Sequence, residues 1–378
     1  MKQIARIIST YTADVSGVCS ALYELGGMVV MHDPSGCNST YNTHDEPRWY
    51  DMDSLIFISG LAEIDAIMGN DEKLIDDVVT AAGQLSPAFI GLARTPVPML
   101  NGTDFDAIAS VITKRTGIPA FYFPTSGTHS YVAGAGMALE KIADYYAKGP
   151  EKGEKAHSSG VNLLGVTPLD FSINSTVDSM KDFLKDNGFE LISCFAMGSS
   201  LADLEKAGQA GVNLVVSSVG LPAARVLREK FGTPYVVGTP VGPFAKVIAE
   251  DMKQAAETGE NIFSCRKRPV AEEAEIAVIG EAVTSASLAA AISMSRDRTV
   301  KVICPLEADH MLFVQGDEQA AYEDEQENLL KNMPAIIADP MYRPICPEDD
   351  AFYELPHEAF SGRIFRRKIP DLVKILDY

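Results

Sequence analysis

The chain has 378 residues, 46% hydrophobic and 22% charged, an ordinary globular balance with room for two or three domains. Its formal net charge of −20 argues against nonspecific nucleic-acid binding, which needs a basic surface. No apolar run approaches the ~20 residues needed to cross a bilayer, and the N-terminus has no apolar leader core. A cytoplasmic protein without membrane association is therefore expected. The six cysteines form no CxxC pair, which disfavours a zinc ribbon or a ferredoxin motif.

In chain order, residues 15–25 read as a helix with Ala21, Leu22 and Leu25 on its apolar stripe, stopped by Gly26-Gly27. Residues 28–31 read as a buried strand. The turn His32-Asp33-Pro34-Ser35-Gly36-Cys37 follows. His32, Asp33 and Cys37 there could face one ligand from a strand end, where open α/β sheets bind ligands. Residues 54–59, 88–92 and 118–123 predict strands; 63–81, 104–115 and 134–146 predict helices. After the polar stretch 149–160, strands are expected at 161–166, 189–195, 212–217 and 234–238, with helices at 175–187, 201–208 and 223–231. Beyond the basic run Arg266-Lys267-Arg268, strands are expected at 275–279, 299–304 and 335–338, helices at 285–294 and 323–331, and a last helix from about Pro370. This alternation predicts an α/β protein of Rossmann-like units with parallel sheets.

His32-x-Pro34-x-Gly36-Cys37 resembles the HGPxGC signature of the nitrogenase component 1 family. Tyr41-Asn42-x-His44 and Glu46-Pro47 are similar to the run that follows this cysteine in its β chains, with one residue fewer. The likeness is strongest over 17–74, 160–258 and 333–362. It implies three Rossmann-like domains around a central cleft, with expected borders 1–155, 156–265 and 266–378.

The same resemblance implies that Cys37 holds an iron–sulfur cluster, a 4Fe-4S one, at a subunit interface, with His32 and Gly36 in the cofactor-binding turn. The family's other cluster cysteines have no counterpart. Counting back from Cys37 lands near Thr12 and Asp14, and the loop 93–98 holds no cysteine. Asp14 is a candidate substitute, because an aspartate replaces a cysteine ligand in one branch of the family. Cys19 reads either as a ligand or as a buried core thiol. The position of the family's active-site cofactor cysteine falls at Val216 or Ser217, so no molybdenum cofactor is expected and dinitrogen is not the expected substrate. The run Leu355–Gly362 is similar to the family stretch bearing the cofactor histidine, which makes His357 the candidate catalytic residue facing the cleft. The loop Thr125–Ser130 suits an anion or a helix cap.

The resemblance implies an oxidoreductase in a homodimer or a heterodimer with a related subunit, fed with electrons by an ATP-dependent iron–sulfur reductase protein. A non-catalytic metallocofactor assembly scaffold and a cluster-poor structural subunit remain alternatives. A periplasmic-type binding protein with similar lobes is a further reading, against which the missing signal peptide counts.

Overall fold

Three apolar strand–helix series give three separate sheets, and every pairing among the described strands is parallel. The computed structural model describes residues 5–9, 13–34, 36, 46–150, 157–348 and 351–375.

The first sheet has the order β2-β1-β3-β4, from β1 (Met28–His32), β2 (Ile56–Ile58), β3 (Ile90–Arg94) and β4 (Ala120–Phe123). It is accompanied by α1 (Asp14–Leu22), α2 (Glu63–Met68), α3 (Asp71–Leu85), α4 (Pro96–Asn101), α5 (Phe105–Thr116) and α6 (Tyr131–Tyr146). The second sheet, β6-β5-β7-β8, is built from β5 (His157–Val166), β6 (Glu190–Ala196), β7 (Ala210–Val215) and β8 (Tyr235–Val237). Its helices are α7 (Pro168–Phe171), α8 (Thr176–Asp186), α9 (Leu201–Leu204), α10 (Leu221–Phe231) and α11 (Ala245–Thr258). The third, β11-β10-β9-β12-β13, takes β9 (Ile276–Ile279), β10 (Val300–Cys304), β11 (Glu318–Gln319), β12 (Ala335–Ala338) and β13 (Ala351–Glu354). Its helices are α12 (Ala282–Arg296), α13 (Glu323–Leu330) and α14 (Glu358–Ser361).

The α/β class with several parallel sheets is thus as the sequence implies, with local differences. The helix expected over 63–81 is two helices. Gly69 takes φ +69° and caps α2 on the Asp65 carbonyl, and α3 starts two residues later. The sequence reading has no helix at 96–101 or 245–258, where α4 and α11 lie. The helix expected from Pro370 does not form among the described residues. Here the chain bonds sideways instead: Asn174 donates to the Ile369 carbonyl, Gly242 to the Leu372 carbonyl, and Ser175 and Ser179 to the Asp371 carboxylate. The basic run is partly internal, since Arg268 forms a fully buried ion pair with Asp317 and Lys267 pairs with Asp251.

In each sheet the strand order reverses beside its first strand: β1 lies between β2 and β3, β5 between β6 and β7, β9 between β10 and β12. Such reversals open a crevice at the carboxyl ends of the strands. Polar residues follow all three pairs: His32-Asp33 and Thr95, Thr167 and Ser217, Glu281 and Asp339.

Between the first two sheets runs α6, in backbone contact with α1. A Cβ at Gly17 would stand 2.1 Å from the Tyr131 carbonyl, and one at Gly134 would stand 1.8 Å from that of Asp14, so only glycine allows this approach. On another flank, Gly136 of α6 faces Pro222 of α10.

Candidate functional site

At the first crevice the polar groups satisfy one another. His32 is buried against the edge of Phe105, its Nδ1 lies 2.8 Å from Ser59 Oγ, and Thr95 Oγ1 lies 2.8 Å from the His32 carbonyl and 2.9 Å from Asp33 Oδ1. Burial, with a smaller push from Lys73, lowers the His32 pKa to about 4, so the ring is neutral at physiological pH. A Cβ at Gly36 would meet no atom of the described residues within 4 Å. Cys37, Tyr41, Asn42 and His44 lie outside the described residues. Beyond them, buried Glu46 and Arg48 tie the returning chain to α1. The Arg48 Nε is 2.6 Å from Glu46, another of its nitrogens is 2.9 Å from Glu24, a third donates to the Ser20 carbonyl, and the guanidinium lies over Tyr23.

Asp14 opens α1 and faces the loop Thr125–Ser130. Its Oδ1 accepts the Val15 and Gly127 N–H groups, and its Oδ2 accepts the Ser126 N–H, each at 2.8 Å. The loop expected to suit an anion does receive one, a carboxylate of the chain itself. Cys19 is fully buried, and desolvation with the nearby Glu46 charge raises its thiol pKa well above the usual range.

The second and third crevices share a different cluster. Asp170, in the short helix after β5, accepts the Tyr131 hydroxyl on Oδ1 at 2.5 Å, and the Ser217 and Thr167 hydroxyls on Oδ2 at 2.7 and 3.1 Å. His357, after β13, brings Nε2 to 3.6 Å from Asp170 Oδ1. The Ala359 N–H donates to its Nδ1, so in the neutral ring the proton sits on Nε2, which is buried and makes no hydrogen bond. Asp339 holds this turn by accepting the His357 N–H and the Ser361 hydroxyl, both at 2.8 Å. Ser172 donates to Glu358, linking the Asp170 turn to the His357 turn.

Glu281, buried at the end of β9, accepts the N–H groups of Ser218, Val283 and Thr284. Burial raises its pKa and the Asp170 charge raises it further; burial and Asp170 also hold the Tyr131 phenol far above its usual value. A cavity of about 40 Å³ lies among Asp170, Thr239, Glu281, Thr284 and His357. The Thr284 hydroxyl on its wall is buried and unpartnered, as is His357 Nε2. Unsatisfied buried polar atoms are uncommon and cluster where chemistry or a guest is expected.

Of the residues singled out in the sequence, His357 stands in this second cluster, whereas His32, Asp14 and Cys19 belong to the first. Ser217, one of the two residues that the sequence resemblance sets against the family's cofactor cysteine, hydrogen-bonds Asp170. Asp170, Glu281 and Tyr131 were not anticipated. The available signal was a polar residue just past each apolar strand, as in VNLLGV-Thr167, VNLVV-Ser217 and IAVIG-Glu281.

The nitrogenase component 1 type oxidoreductase family model matches residues 16–287. The chain belongs to this family. Relatives include a light-independent protochlorophyllide reductase subunit from Nostoc punctiforme, 30% identical over 181 residues, 46% of this chain and 36% of that protein. The nitrogenase molybdenum-iron protein alpha chain of Azospirillum brasilense is 25% identical over 280 residues, 68% of this chain and 55% of its own length. The matches thus span about a third to a half of these relatives. The solved structure of nitrogenase Cp1 at pH 6.5 superposes with a TM-score of 0.70 at 15% identity, covering 99% of this chain and 92% of that one. This likeness extends the fold through the third sheet, beyond the family-model match.

Members of the family bind iron–sulfur clusters, so the donors here can be tested against one. Iron–sulfur clusters are held by cysteine thiolates, with other side chains such as histidine at some irons, and the ligating atom must be free to reach the metal. Neither Asp14, with three backbone N–H donors, nor Cys19, wholly buried, fits that role. No group of three or more metal-ligating side chains occurs among the described residues. Nor does any of their helices have the length and apolarity to cross a membrane.

Proposed function

We propose that the chain is a nitrogenase-like component 1 oxidoreductase subunit. In this reading it takes electrons from an ATP-dependent iron–sulfur reductase and reduces a substrate other than dinitrogen. The observation that carries it is the family match across residues 16–287, which includes the His32–Cys37 turn. The cluster, of the 4Fe-4S type, would hang from Cys37 at the interface of a homodimer or heterodimer. Because Asp14 and Cys19 are otherwise engaged, its remaining ligands would come from the second chain. The substrate would meet His357 and Asp170 in the cleft, bordered by units 1–155, 156–265 and 266–378. There the Nε2–H of His357 is a hydrogen-bond donor, and burial together with the Asp170 charge raises the pKa of Glu281.

Anaerobic purification with iron and sulfide assay and low-temperature electron paramagnetic resonance tests this. Wild-type protein should hold iron, and Cys37→Ala should lose it while keeping the apo fold. Ala at Cys194, Cys265, Cys304 or Cys346 should leave iron content unchanged. Wild-type protein that stays iron-free after reconstitution defeats the cluster. It then favours the second reading, a metallocofactor scaffold or cluster-poor structural subunit, to which the engaged Asp14 and buried Cys19 already lend weight. Iron with no turnover beside any reductase protein would favour the scaffold.

A further inference from the structure

A second cleft, of about 370 Å³, meets the Asp170–His357 cavity at Phe360, which lines both. It is bordered by the loop before α6, the end of β10, α13 and the segment 5–9. Its size falls in the range used by small-molecule ligands.

The wall is rich in acceptors. Glu307 reaches across from the third sheet to the start of α6, where its two oxygens each lie 3.1 Å from the Ser130 amide nitrogen. Glu323 accepts the Arg6 and Ile7 N–H groups at 2.6 and 2.7 Å. These donors lower both carboxylate pKa values against the opposing effect of burial, so both are ionised at neutral pH. The Arg6 guanidinium offsets Glu323 from outside the cleft and also binds Glu327. Glu307 is met by His129, whose side chain is 62% exposed.

An independent observation points the same way. Gln326, 3% exposed, lines the cleft, and its amide nitrogen donates to the Ala320 carbonyl at 2.8 Å. None of the described residues donates to its Oε1. A buried amide oxygen without a donor is unfavourable, so a ligand bringing N–H groups would relieve it. Tyr342 and Phe360 supply an aromatic, apolar side.

We propose that this cleft binds a small primary ammonium compound with an apolar body. Its charged nitrogen lies toward Glu307 and Gln326, and its apolar part against Tyr342 and Phe360. An anion would meet two carboxylates and an amide oxygen, and a neutral alcohol would leave the charge of Glu307 unused. The site requires neither iron nor turnover, so its fate is independent of the function proposed above.

Isothermal titration calorimetry on the full chain at neutral pH and low salt tests it, with benzylamine, benzyl alcohol and benzoate as probes. Benzylamine should saturate with a Kd on the order of 1 mM, and the alcohol and benzoate should bind at least about tenfold more weakly. Glu307→Gln, which keeps an acceptor for the Ser130 N–H, and Gln326→Met, which keeps the stem, should each weaken benzylamine about fivefold or more. Equal binding of alcohol and amine, or no benzylamine heat up to about 10 mM, overturns the proposal. So does unchanged affinity in Glu307→Gln. If Gln326→Met does not melt as a folded protein, the half-exposed Glu307 variant decides.

Discussion

The crevice after β1 and the crevices after β5 and β9 occupy equivalent places in their sheets, yet they treat polar groups differently. In the first, Asp14, His32, Asp33, Glu46 and Arg48 bond one another, the hydroxyls of Ser59 and Thr95, or nearby backbone. In the second, His357 Nε2 and the Thr284 hydroxyl are buried without partners around a cavity, beside two carboxylates. The contrast shows that a run of eye-catching residues can be scaffolding. The groups left over for a ligand are those that the fold does not use.

Four measurements can break or sharpen that contrast. The largest effect is expected at Asp14. Asp14→Ala strands three backbone N–H donors, and urea unfolding should show a loss of about 3 kcal/mol or more. A loss below about 1 kcal/mol would mean that the carboxylate is not committed to the loop and is free for other work.

His32 gives the next effect. Its pKa is depressed from 6.5 to about 4, so the unfolded chain binds a proton that the folded ring resists. Stability is therefore held above the unfolded value and falls as pH drops through the window from 6.5 toward about 4. Between neutral pH and pH 5 the wild type should lose about 2 kcal/mol that His32→Gln does not lose. Parallel pH profiles for the two proteins would show that the ring is less enclosed than its contacts imply.

The smallest effects belong to the second cluster. Thr284→Val removes an orphaned hydroxyl and should raise stability by roughly 0.5–1 kcal/mol. His357→Gln should change it by less than about 1 kcal/mol, since the one hydrogen bond its side chain makes among the described residues is the 3.3 Å bond from Ala359 and glutamine keeps much of the ring's contact with Phe360. A drop of about 3 kcal/mol in either would reveal a structural role and erase the distinction between the regions.

Much of the fold was legible because parallel strands buried on both faces leave continuous apolar runs, as at MVVMH and VNLLGV. The break at Gly69 was not, because the apolar spacing of Ile64, Ile67, Leu74 and Val78 runs across it without interruption. The tail helix failed because tertiary hydrogen bonds to α8 and its flank outweigh a weak local preference. The Asp170 cluster was harder still. Tyr131, Asp170, Ser217, Glu281 and His357 come from five separate turns, and only the strand ends bring them together. His357 entered through resemblance to a familiar run, and nothing about its own neighbours signalled Asp170.

The glycine contacts of α6 have a practical consequence. This helix belongs by sequence to the first sheet, but it is clasped on one flank by α1 and touched on another by α10. A cut in the polar stretch near 150 would look natural on a sequence map. It would yield two fragments, the first carrying a helix with a raw apolar flank and the second missing the surface that α10 rests on. Such halves should express poorly alone and recover when mixed. The stretch thus suits fragment complementation better than truncation.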